Sequence, residues 1–95
     1  MAGYVYILAS KRNGTLYVGV TSDLGGRVWQ HKQRSTPGFT AKYGALRLVW
    51  YREFFEIGEA IVFEKRLKTW HRAWKIALIE EMNPEWRELY SGQGW

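Results

Sequence analysis

Two short runs of β-branched and aromatic residues, Tyr4-Val5-Tyr6-Ile7-Leu8-Ala9 and Leu16-Tyr17-Val18-Gly19-Val20, stand close together with Asn13-Gly14 between them. Such residues fit a pleated, half-buried surface, and Asn-Gly suits turn positions with positive φ, so the start of the chain is constrained to an antiparallel hairpin. The remaining residues must cover that hairpin. Thr21, Ser22 and Asp23 offer N-cap oxygens, and Leu24 and Val28 fall at i, i+4 spacing in a helix predicted from Leu24 to about Arg34. Gly25 and Gly26 in its first turn cost about 1 kcal/mol each against alanine, which points to close approach of another backbone or to a frayed turn. Pro37, Gly38 and Gly44 mark 35–45 as a loop, and the Val-, Trp-, Tyr- and Phe-rich stretch from Leu46 to Phe55 reads as a third strand. Ile57, Ala60, Ile61, Phe63 and Leu67 repeat with helical period from Glu56 to about Lys68; Trp70, Ala73, Trp74, Ala77 and Leu78 do so again until Pro84. The order β-β-α-β-α-α predicts a small α+β domain with helices on a three-stranded, mostly antiparallel sheet.

At 95 residues the chain is expected to be one domain, 1–95, and a hydrophobic fraction of 46% supplies a core. The absence of cysteine excludes a disulfide framework, a thiolate zinc site and a cysteine nucleophile together. No apolar run reaches the roughly 20 residues of a membrane span, and the N-terminus lacks signal-peptide character, so a soluble, cytoplasmic protein with no membrane partner is expected. Fourteen Lys plus Arg against nine Asp plus Glu give a net charge of +5, which favours a polyanionic partner such as nucleic acid.

Among single residues Glu64 stands out, because Ala60, Ile61 and Leu67 lie three or four positions away and place it in the apolar stripe of its helix. It reads either as a rim residue paired with Lys68 at i+4 or as an oxygen ligand for a hard cation such as Mg²⁺. Helix 1 gathers Arg27, Gln30, His31 and Arg34 on one face, which is either solvated or suited to holding a phosphate. Tyr4 and Tyr6 share a face of strand 1 with Tyr17 across the hairpin, an arrangement that packing alone can explain. His71 reads as helix-end surface. Lys65, Arg66, Lys68, Arg72 and Lys75 beside Trp70 and Trp74 combine cations with aromatics as nucleic-acid surfaces do, although Trp at that spacing also serves cores.

Taken together these residues resemble the GIY-YIG nuclease superfamily, particularly its small single-domain bacterial members of unassigned role. The first half-motif corresponds to Tyr4-Val5-Tyr6 and the second to Tyr17-Val18-Gly19; Arg27 follows Tyr17 by ten residues and His31 follows Arg27 by four. Glu64 within Phe63-Glu64-Lys65-Arg66-Leu67-Lys68 matches the family's metal-binding glutamate, and Asn83 before Pro84 its late asparagine. Tyr4 departs from the glycine that begins the name-giving motif, and Val20 from the lysine some members carry there. The resemblance implies metal-dependent phosphodiester hydrolysis on DNA, RNA not being excluded, leaving a 5′ phosphate and a 3′ hydroxyl. Glu64 would hold Mg²⁺ or Mn²⁺, Arg27 would neutralise phosphorane charge, Tyr6 and Tyr17 would position or deprotonate water, and His31 would orient that water or shuttle its proton. Gly19 and Asn83 would support the site from behind, while Lys65, Arg66, Lys68 and Arg72 would grip nucleic acid.

The reading is thus a small endonuclease, structure- or end-selective, with a role in DNA repair and with specificity either low or borrowed from a protein partner. A non-catalytic nucleic-acid-binding module on the same scaffold is the alternative, and an interaction domain built on exposed Trp a third. The enzyme reading requires the hairpin and the first two helices to bring Tyr6, Tyr17, Arg27, His31 and Glu64 together on one concave surface.

Overall fold

The computed structural model describes residues 1–33 and 44–92. Its elements are β1 (Gly3–Ala9), β2 (Leu16–Thr21), α1 (Leu24–Lys32), β3 (Arg47–Phe54), α2 (Ile57–Thr69) and α3 (Arg72–Met82). One sheet has the order β2-β1-β3 with both pairings antiparallel, so β1 is central. The fold is the predicted α+β arrangement.

Period-two alternation along β1 sorts its side chains between two cores. Val5, Ile7 and Ala9 join Ala60 and Leu67 of α2, Ile79 of α3 and the buried Trp86. Tyr6 and Leu8 join Leu24 and Val28 of α1, together with Leu48. Helices α1 and α2 therefore cover opposite faces of the sheet. The pairing of β1 with β3 slips between Ile7 and Leu8: Ile7 opposes Trp50 and Leu8 opposes Leu48, so Val49 is the extra residue of a bulge.

Helix α1 starts where the capping residues predict. The Asp23 carboxylate accepts the Gly26 N–H at 3.2 Å, and the Thr21 hydroxyl accepts the Asp23 N–H at 3.0 Å. The first turn is therefore anchored by its cap, not frayed. Helix α1 ends at Lys32, so Arg34, like Pro37 and Gly38, lies outside the described residues.

The hairpin connection differs from a two-residue turn. Six residues, 10–15, link the strands, closed by Ser10 N–H to the Thr15 carbonyl at 3.0 Å and by Thr15 N–H to Ser10 Oγ at 3.0 Å. Asn13 alone adopts positive φ, at 58°. Gly14 is required for space, since a Cβ there would lie 2.3 Å from Ser10 Oγ.

After α3 the chain is irregular yet tightly held, a feature with no periodic signal in the sequence. Asn83 is buried; its Nδ2 donates to the Val49 carbonyl at 3.1 Å and to the Arg87 carbonyl at 2.8 Å, and its Oδ1 accepts the Arg87 N–H at 3.0 Å. Trp86, fully buried with φ 57°, donates from Nε1 to Glu80 at 2.7 Å. Leu89 N–H donates to the Leu48 carbonyl at 2.8 Å and Glu88 accepts the Leu48 N–H at 2.7 Å, so this segment satisfies the open edge of β3 near its bulge.

Candidate active site

The sheet register places Tyr6 opposite Gly19 and Leu8 opposite Tyr17, so both tyrosines stand on the α1 face of the hairpin. A Cβ at Gly19 would lie 2.4 Å from both Cζ and the hydroxyl oxygen of Tyr6. The Tyr6 ring therefore lies over the bare backbone of Gly19, and a side chain on that strand would force it away. His31, three percent exposed, comes down onto the pair from α1. Its Nε2 lies 3.1 Å from the Tyr6 hydroxyl, and its ring centroid is 5.3 Å from that of Tyr17 and 6.0 Å from that of Tyr6. The two tyrosine rings are themselves 6.3 Å apart.

Charge reaches this aromatic triad from both sides of the sheet. Burial raises the Tyr6 hydroxyl pKa above that of an ordinary phenol; Tyr17 beside it and the Glu64 carboxylate add to the rise, while Arg27 opposes it. Burial also lowers the His31 pKa, with the Arg27 guanidinium adding to the effect. At neutral pH Tyr6 is thus protonated and His31 neutral. Arg27 from α1 and Glu64 from α2 both act on the Tyr6 hydroxyl although their helices cover opposite faces. The face that carries the tyrosines is thus covered by α1 and does not look toward both helices.

Glu64 is buried, in keeping with its place between Ala60 and Leu67, and Lys68 Nζ lies 2.7 Å from its Oε2. Of the two sequence readings of Glu64, the pairing with Lys68 is present, here with a buried carboxylate and not one at the rim. Beside it a groove of about 230 Å³ is lined by Leu16, Tyr17, Val18, Lys68 and Lys75. No cluster of three or more His, Cys, Asp or Glu side chains is present among the described residues. A single buried carboxylate fits a hard cation such as Mg²⁺, which keeps several waters and uses one or two protein carboxylates; it does not fit zinc.

The other sequence-nominated residues lie around this centre with varied partners. Lys65 and Arg66 are exposed on α2. The Arg72 guanidinium instead donates to the Asn13 and Gly14 carbonyls, at 2.7 and 2.6 Å, and ties α3 to the hairpin turn. Lys75 Nζ donates to the Lys68 carbonyl at 3.2 Å. His71 is exposed at the start of α3 with its ring 5.4 Å from that of Trp74. The hydrogen bonds of the Asn83 amide go to β3 and to Arg87, so its link to the tyrosines runs through the sheet. Arg72 as a turn clamp and Trp86 as a core residue escape sequence reasoning, since neither pairing has a local spacing.

Gly19→Ala is expected to cost about 1–3 kcal/mol, the usual range for forcing a methyl into a filled space, and to break the Tyr6–His31 hydrogen bond. Thermal melting and the His31 imidazole NMR signals report the two effects. Parent stability with unmoved His31 signals would show that the Tyr6 ring is not held against Gly19.

Two tyrosines and a histidine thus lie together over a three-stranded antiparallel sheet, with an arginine and a buried glutamate acting on one tyrosine hydroxyl. The GIY-YIG catalytic domain matches residues 2–77, and the chain belongs to that family. It is 35% identical over 82 residues to a UPF0213 protein of Bacillus pumilus, spanning 86% of this chain and 83% of the relative. A UPF0213 protein of Oceanobacillus iheyensis is 33% identical over 82 residues, spanning 86% and 94%. The solution NMR structure of a UPF0213 protein from Bacillus halodurans is similar with a TM-score of 0.57 and 30% identity, covering 93% of each chain. Among the described residues no helix is long and apolar enough to cross a membrane.

Proposed function

We propose that the chain is a divalent-metal-dependent endonuclease that hydrolyses phosphodiester bonds of DNA, structure- or end-selective, and leaves a 5′ phosphate and a 3′ hydroxyl. The observation that carries this reading is the Tyr6 hydroxyl, hydrogen-bonded to His31 and subject to opposed electrostatic effects from Arg27 and Glu64. A binding module has no use for a buried carboxylate next to a phosphate.

Glu64 would hold Mg²⁺ or Mn²⁺, which when bound supplies Lewis-acid stabilisation of the leaving oxygen. Arg27 neutralises charge that grows on the phosphoryl oxygens, and its guanidinium keeps that charge at any working pH. Water attacks phosphorus as its proton passes to the Tyr6 oxygen, while the Tyr6 proton moves along the existing hydrogen bond to the neutral His31. The P–O3′ bond breaks with its electron pair going to the 3′ oxygen, which leaves as an alkoxide and takes a proton from solvent water to become the 3′ hydroxyl. A raised Tyr6 pKa makes a free phenolate scarce, so this concerted relay suits Tyr6 better than prior ionisation. Tyr17, in contact with both rings, orients the water. Gly19 keeps the Tyr6 ring in place, and Asn83 supports the sheet beneath through Val49. Lys65 and Arg66 meet backbone phosphates, with a smaller share from Arg72, whose donors already serve the turn.

Incubation of purified protein with single-stranded, duplex and branched DNA, and with RNA of matching sequence, in Mg²⁺ or in EDTA tests the reading. Metal-dependent cleavage with 5′-phosphate ends is expected on at least one DNA. Binding without cleavage of any substrate in Mg²⁺ or Mn²⁺ overturns it in favour of the non-catalytic module.

A further inference from the structure

Lys68 occupies an unusual place for a surface lysine. Its ammonium lies 2.7 Å from Oε2 of a carboxylate whose side chain is nine percent exposed, while its own side chain is half in solvent and also lines the groove beside Tyr17 and Lys75. A buried carboxylate without a counter-charge is costly, and Lys68 is the cation in ion-pair contact with Glu64. A mobile ammonium suits temporary service there, because lysine is a compact point charge on a flexible stem and half of the Lys68 side chain lies in solvent.

We infer that Lys68 is a tethered stand-in for the divalent cation: its ammonium neutralises Glu64 while no metal is bound, is displaced when the metal arrives, and is then released into the groove lined by Tyr17 and Lys75, where a substrate phosphate lies. This inference rests on the reading of Glu64 as the metal ligand. Lys68 is a positioning residue, coupling two binding events through one charge that cannot serve both. With the metal absent Lys68 protects the fold; with the metal present it adds a cation at the phosphate, next to the strand where Val20 stands.

The test is titration of the purified full chain with MnCl₂ by calorimetry, with thermal melting in EDTA and in Mn²⁺. Lys68→Met is expected to bind Mn²⁺ about 3- to 10-fold more tightly than the parent, because the metal no longer displaces a like-charged neighbour. The same variant melts lower than the parent in EDTA, and Mn²⁺ narrows that difference. Lys68→Arg, which keeps the charge and the fold, binds Mn²⁺ no more tightly than the parent. A merely structural ion pair would lower the melting temperature of Lys68→Met equally with and without Mn²⁺ and leave affinity unchanged; that result, or weaker binding, overturns the inference. If Lys68→Met does not fold, Lys68→Gln carries the same comparison. Failure of the parent itself to bind Mn²⁺, or parent-like binding by Glu64→Gln, refutes the metal role of Glu64 and this inference with it, an outcome distinct from equal affinities in parent and variant.

Discussion

Glu64→Gln is expected to abolish cleavage, by a factor on the order of a thousand or more, while affinity for the same DNA stays within a few-fold of the parent. The substitution keeps the shape of the side chain and removes its charge, so Ala60 and Leu67 around it need not repack. What is lost is the anionic oxygen that would hold the cation, and metal ions stabilise phosphoryl-transfer transition states by several kcal/mol. Affinity rests on cations elsewhere, Lys65 and Arg66 among them, and Lys68 gains freedom when its carboxylate partner becomes neutral. Single-turnover cleavage and fluorescence-anisotropy binding separate the two quantities. Cleavage at the parent rate would remove Glu64 from the chemistry, and a matching loss of binding would assign it to substrate affinity.

How far the sequence alone leads differs between the scaffold and the site. Local signals carry the strands and helices to within a residue or two, because aromatic and β-branched runs, the Asp23 cap and the Pro84 stop all act over short range. The burial of Glu64 is also legible, since Ala60 and Leu67 flank it at helical spacing. The sharing of one face by Tyr6 and Tyr17 comes from alternation and register. Which helix covers that face has no such local origin: period two says that Tyr6 and Val5 point apart, and nothing local says that α1 takes one side and α2 the other. The electrostatic effect of Glu64 on Tyr6 from a helix on the other face of the sheet therefore needs the structure. So does the use of Arg72, whose pairing with Asn13 and Gly14 spans about sixty residues, and of the Asn83 amide, which reads as a helix end and instead binds three backbone groups. Long-range hydrogen bonds leave no periodicity to find.

Arg27→Ala tests the electrostatic coupling at the centre of the site, with an effect on rate and an independent effect on titration. Arg27 acts on two groups: it helps burial to lower the His31 pKa and it opposes the rise at Tyr6. Without the guanidinium, cleavage is expected to fall about 100- to 1000-fold, the usual loss when one preorganised charge facing a transition state is removed. The His31 pKa moves upward toward that of an ordinary imidazole, since a repelling cation has gone while burial remains. The linked stability change has a fixed sign. His31 titrates lower in the folded protein than its ordinary value of 6.5, so the unfolded chain binds the proton more readily. The resulting stability is present above pH 6.5 and is lost as pH falls through the folded value. Arg27→Ala narrows the gap between folded and unfolded values, so the variant loses less stability than the parent between about pH 7.5 and about pH 5. Urea unfolding at those two pH values measures the loss, and NMR titration of the His31 ring measures the shift, with the exposed His71 ring as the control imidazole. An unmoved His31 titration together with near-parent cleavage would show that Arg27 is a solvated helix residue with no part in the site.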